Sequence, residues 1–288
     1  MHLEVAPPKV YNREMQRLTR TLAKVLIVVF AIVGFLLVGG YIAMRAGLTN
    51  IDNAIDRQSE FFLSKPMEYS RFPLAHTPEW VAFRQAVAKD KTIIEQVSRE
   101  TGVAPRMLIA LLVPEQMRLF HSNRPIFKQI FEPLKILGSQ SQFSWGIFGI
   151  KDETARAVEE HLRDTASPFY LGKQFEHALD FKTNTPDQER FSRIIDEHDH
   201  TYGYRYAGLY VAQIKKQWEN AGFPIADRPE ILATLWNLGF EKSKPNAAPK
   251  SGGAPIDIDG TTYSFGALAG AFYYSDELVE IFPLQETP

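Results

Sequence analysis

The stretch from Val25 to Met44, VLIVVFAIVGFLLVGGYIAM, runs for twenty residues without a charge. As a helix it would reach roughly 30 Å, the thickness of a bilayer's hydrocarbon core. A secretory leader is the alternative, but its apolar region spans about 7–15 residues and ends at a small-residue cleavage site. This run is longer and carries no clear A-x-A site, so it reads as an uncleaved anchor over residues 22–44. Lys9, Arg13, Arg17, Arg20 and Lys24 precede it, whereas Arg45 and Arg57 are the near cations that follow. That bias predicts a cytoplasmic tail over 1–21 and a periplasmic or otherwise extracytoplasmic remainder, tethered by a single pass.

Composition narrows what the tethered part can be. The 288 residues carry a net charge of −2, which gives no basic surface for phosphate backbones and excludes nucleic acid as the expected partner. No cysteine is present, so disulfide scaffolds, thiol catalysis and cysteine-based zinc sites are excluded as well.

Residues 45–78, with Pro66, Pro73 and Pro78, read as a juxtamembrane connector with one short helix around 49–63. From Glu79 the pattern turns helical. Ile93, Ile94, Val97, Val103, Met107, Leu108, Leu111 and Leu112 recur at three- and four-residue steps. Thr101-Gly102 divides this run into two helices, and Pro105 opens the second. An insert over about 118–143 reads as mostly non-helical. SWGIFGIKDETARAVEEHLRD then reads as a turn entering a helix, with Asp152 as its N-cap. Two further helices are expected over Ala207–Gly222 and Arg228–Gly239, the second opened by Pro229 and closed by Gly239. Residues 241–255 read as a flexible loop, and 256–264 as a small β-hairpin about Asp259-Gly260. The expected fold is mainly α, with one domain over 79–288.

Three separated segments resemble soluble lytic transglycosylase domains. IIEQVSRETGVAPRMLIALLVPEQMRLF (93–120) resembles the helix, G-V-x-P turn and apolar helix that deliver that family's catalytic glutamate, and Glu115 stands at the matching position. GIFGIKDETA (146–155) resembles the G-L-M-Q-I-M-P-x-T-A motif, sharing Gly146, Ile150, Thr154 and Ala155. Residues 208–239 resemble the G-A-x-Y-L helix and the A-A-Y-N-A-G motif, here ATLWNLG. The resemblance covers about half of the extramembrane chain. It implies a lysozyme-like α domain that cleaves peptidoglycan between N-acetylmuramic acid and N-acetylglucosamine without a cofactor. Glu115 would act first as acid and then as base, yielding a 1,6-anhydro product. Gln116, Gly146, Ile147, Phe148, Trp236 and Asn237 fall at positions that would meet substrate. The expected partners are glycan strands, the membrane through the N-terminal helix, and other envelope proteins.

The residues around Glu115 suit that role. A general acid must hold its proton, and apolar surroundings disfavour a charged carboxyl. Leu111, Leu112 and Val113 precede it, and Met117, Leu119 and Phe120 follow. Pro114 cannot donate to the carbonyl of Ala110, so the helix is expected to kink or end there and turn the carboxyl toward a cleft. No second acid lies near in sequence, in keeping with a one-carboxylate mechanism.

Gln116 replaces the family's serine, Gly149 its glutamine and Trp236 its tyrosine, which removes a hydroxyl. These departures define the alternative, a catalytically silent glycan-binding or scaffold protein. Elsewhere, IIDEHDH offers His198 and His200 among acids, but no H-E-x-x-H helix accompanies it and no metal is expected. Tyr202, Tyr204, Tyr206 and Tyr210 read as a loop packing onto the core. His121 and Arg124 follow closely on Glu115.

Overall fold

The computed structural model describes residues 20–38 (except 29, 32, 36 and 37), 72–120 and 145–284, with no side chains at 119 and 120. The tail over 1–19, the anchor's end at 39–44, the connector from 45 to 71, and residues 121–144 with His121 and Arg124 lie outside the described residues. The chain divides into two units, Met1–Arg57 and Gln58–Pro288. In the first, the described positions are helical, and their large apolar side chains from Leu22 to Val38 are exposed. Among the described residues no helix is long and apolar enough to cross a membrane.

The second unit is mainly helical, and glycine and proline set many of its boundaries. Helix α1 (Pro78–Lys89) opens on Pro78, with the Thr77 hydroxyl accepting from the Trp80 amide at 3.2 Å. Phe72 and Leu74, ahead of the expected domain boundary at Glu79, are already buried, and Phe72 lies edge-on to Trp80. Helix α2 (Lys91–Thr101) ends at Gly102, whose φ of 69° is the left-handed cap that glycine adopts without a Cβ penalty. Helix α3 (Pro105–Phe120) is buried at every position from 106 to 115, so it forms the centre of the unit.

The helix runs on past Pro114 to Phe120, so it does not end at the proline, and its last three residues reach into the start of the expected insert, the rest of which lies outside the described residues. Proline deletes one backbone hydrogen bond, and the buried side chains on both sides of it hold the helix in place.

Helix α4 (Asp152–Arg163) follows a tight turn. Its N-cap is Lys151 rather than Asp152; the Asp152 carboxylate instead binds Arg156 at 2.8 Å. Helix α5 (Pro186–Ile195) was not anticipated. Helix α6 (Thr201–Asn220) begins six residues before its expected start, so the tyrosine series is helical and not a loop. Residues 203, 204 and 206–211 are all buried, so α6 is enclosed on every side there, and a stretch with tyrosine at every second position shows no single apolar stripe. Gly208 lets α6 approach α2 closely: a Cβ there would lie 2.9 Å from Thr101 Oγ1.

Helix α7 (Pro229–Leu238) has the expected bounds and is capped by Gly239. The 241–255 segment is tied at both ends. The Trp218 indole donates to Ser243 Oγ at 2.9 Å, and the Gly252 amide donates to Thr234 Oγ1 at 2.9 Å. Strands β1 (Pro255–Ile258) and β2 (Thr261–Ser264) pair antiparallel about Asp259 and Gly260, both with positive φ, as in a type I′ turn. Helix α8 (Phe265–Tyr273) packs on α7 and α3.

Arg106 of α3 fastens the C-terminal segment. It is fully buried and donates to the carbonyls of Phe272, Tyr273, Ser275, Glu277 and Phe282 at 2.5–3.0 Å.

Candidate functional site

Glu115 follows Pro114 in the last stretch of α3, where its side chain is 4% exposed. Oε1 accepts from Arg118 Nη2 at 2.7 Å, one turn along the same helix. Arg118 is the cation found within 4 Å of this carboxyl among the described residues. The other oxygen, Oε2, has no hydrogen-bond partner there.

The second element is the turn from Trp145 to Ile150. Trp145 and Ile150 exchange backbone hydrogen bonds of 2.7 and 2.9 Å, and Gly149 donates to Gly146 at 3.2 Å. Gly146 and Gly149 both have positive φ, 64° and 59°, which a residue with a Cβ adopts only under strain. Each also lacks room for one. A Cβ on Gly146 would overlap the carbonyl of Ile194, and a Cβ on Gly149 would overlap Glu115 Oε1. The space that a side chain at 149 would fill is therefore taken by the carboxyl of Glu115. Gln116 Nε2 donates to the carbonyl of Ile147, so two successive residues of α3 grip this turn.

Phe148 carries the turn into the core. It is buried, lying edge-on to Tyr204 at 5.1 Å and to Trp236 at 5.8 Å. Trp236 is half-buried and lies edge-on to Tyr210 at 4.9 Å. Its ring is thus part of an aromatic stack behind the turn. Asn237 faces another task, since its Oδ1 accepts from the Ala254 amide at 2.8 Å.

Of the residues singled out from sequence, Glu115, Gln116, Gly146, Ile147 and Phe148 come together directly, and Trp236 joins through Phe148. No protein-family model, curated protein or solved structure matches the chain. Sequence reasoning missed Arg118, although a Glu-x-x-Arg spacing on a helix puts the two side chains on neighbouring turns. The Trp145 indole nitrogen and Arg118 Nε are buried without partners.

Glu159 is also buried, and its charge is compensated. Arg190 grips it with two bonds of 2.7 and 2.6 Å, and the Tyr206 hydroxyl donates at 2.5 Å. Burial, with the Glu159 charge beside it, drives the Tyr206 phenol far above its ordinary range. A cleft of about 430 Å³ opens here, walled by Arg156, Glu159, Glu160, Arg163, Asp164 and Arg190, and Glu115 is not part of it.

Among the described residues no three potential ligands gather to hold a metal. His200 instead pairs through Nδ1 with Asp90 at 2.7 Å, an oxygen that also receives the Tyr204 hydroxyl at 3.1 Å. The hydrogen bond to Asp90 raises the His200 imidazole above its usual value, against the opposing effect of burial.

Proposed function

We propose that this chain is a membrane-anchored, lytic-transglycosylase-like protein with a lysozyme-like α domain, acting on peptidoglycan outside the cytoplasm. One observation carries the reading: the Glu115 carboxyl lies directly against Gly149 of the 145–150 turn, so two segments that resemble the family meet at the acid. The third segment reaches the same turn through Trp236 and Phe148.

In the reaction, Glu115 gives its proton to the glycosidic oxygen as the bond from that oxygen to the muramic C1 breaks. The carboxylate then takes the proton of the sugar's 6-hydroxyl as O6 bonds to C1. The glutamic acid is regenerated and the product is a 1,6-anhydro sugar, with no water consumed. A carboxyl held in a largely apolar wall suits both proton transfers.

A second reading, a silent glycan-binding or scaffold relative, is favoured by the Arg118 contact. The guanidinium takes up Oε1 with a charge-assisted bond of 2.7 Å, which keeps that oxygen from a glycosidic oxygen.

The test is to incubate the full chain with purified sacculi and analyse the released fragments by mass spectrometry. Anhydro-muramic ends are expected from the wild type and not from Glu115→Gln. Equal yields from both, or binding to sacculi without release, would remove the enzymatic reading.

A further inference from the structure

We infer that Arg118 is the latch of this site: its ion pair with Glu115 occupies Oε1 in the resting site, and the acid step begins only once Arg118 has released Oε1 and the carboxyl has taken up a proton from solvent water. This inference rests on the reading of Glu115 as the reacting carboxyl.

Five observations converge on it. The contact is a charge-assisted bond of 2.7 Å, short enough to dominate a site from which water is largely excluded. Both residues ride on α3, three positions apart, so the pair opens by rotation of one side chain with no movement of backbone. The mobility is on the right partner, because the Arg118 side chain is 25% exposed and that of Glu115 only 4%.

The arginine is also incompletely satisfied where it sits. Its Nε is buried without an acceptor, a state that costs stability and lowers the barrier to leaving. Gly149, finally, leaves empty the volume that the latched carboxyl fills; any side chain there would displace Oε1 from this position. The glycine that departs from the family's glutamine and the arginine one turn past the glutamate thus belong to one device. A ligand oxygen that accepts from the guanidinium competes for it and frees Glu115 to take a proton from solvent, which couples occupancy of the site to the proton transfer that follows.

The experiment compares fragment release from sacculi by the full-length wild type, Arg118→Met, Arg118→Gln, Arg118→Lys, and the double variant Glu115→Gln/Arg118→Met. Arg118→Met and Arg118→Gln are expected to release anhydro-muropeptides about tenfold faster than the wild type, the factor that corresponds to about 1.4 kcal/mol. Arg118→Lys, which keeps a cation in reach, is expected to stay near the wild-type rate. The double variant is expected to be inert. Glu115-dependent release that is unchanged or slower in both neutral variants, with unchanged melting temperature, overturns the latch and leaves the function standing. Absence of Glu115-dependent release from every protein overturns the function, and the latch with it.

Discussion

Glu115 lies over Gly149 so closely that any side chain at position 149 would overlap its carboxyl oxygen. The residues are 34 positions apart, and the contact joins the central helix to the 145–150 turn.

Gly149→Ala therefore carries two penalties, strain at a φ of 59° and displacement of a buried, ion-paired carboxyl. Together these are expected to cost roughly 2–3 kcal/mol in urea unfolding. Glu115→Ala removes the second penalty only. In a double-mutant cycle the two changes should then couple, with the Gly149→Ala cost falling to about 1 kcal/mol in the Glu115→Ala background. Strict additivity would show that the two residues do not touch in solution.

Arg106 spends its guanidinium on five carbonyls at the end of α8 and beyond it, among which that of Phe272 also accepts from the Ser275 amide at 3.1 Å. Burial lowers its affinity for the proton without a facing carboxylate in direct contact. Arg106→Met is expected to cost about 3–5 kcal/mol by stranding those carbonyls. Arg106→Lys should recover little of this, because an ammonium offers three donors and no planar fork. Chemical denaturation midpoints read both effects, and a near-native midpoint for the lysine variant would contradict this account.

The Arg190–Glu159–Tyr206 cluster is a buried ion pair completed by a phenol. Arg190→Met leaves a buried carboxylate with one hydroxyl and is expected to cost about 3–5 kcal/mol, whereas Tyr206→Phe, which keeps the two-bond pair, should cost about 1–2 kcal/mol. Finding the order reversed in thermal or urea unfolding would show that the pair is not what Glu159 depends on.

The contact of His200 with Asp90 closes the junction of α1 and α2 onto the start of α6, and it makes stability depend on pH. The folded imidazole is raised above its ordinary value by Asp90, with Asp196 and Asp199 adding their charge against the effect of burial. Because the folded state holds the proton more tightly, the contribution is complete below about pH 6.5, where the unfolded imidazole is also protonated. It is lost as pH rises through the higher folded value. Urea midpoints at pH 5.5 and 8.5 should therefore differ more for the wild type than for His200→Gln. An equal or larger difference in the variant would refute the assignment.

Some of this architecture is legible in the chain itself. The break at Thr101-Gly102, the start at Pro105, the bounds of α7 and the hairpin about Asp259-Gly260 were all readable, because glycine and proline restrict the backbone through covalent geometry that acts within a few residues. The meeting of α3 with the 145–150 turn is not legible in local pattern, because its contacting residues are more than 30 positions apart. Nor are its contents: the overlap that excludes a side chain at 149, the hold of Gln116 on Ile147, and the pairing of Glu115 with Arg118 in place of an open carboxyl.

What tertiary structure alone decided has a common cause. Pro114 reads locally as a kink or helix end and the tyrosines from 202 to 206 as a loop, yet α3, buried at every position from 106 to 115, continues to Phe120, and α6 starts at Thr201 with residues 203, 204 and 206–211 buried. The five carbonyls that hold Arg106 lie more than 160 positions away along the chain. Packing between such distant segments outweighs the small local preferences that a sequence displays, so those contacts become visible only when the chain is folded.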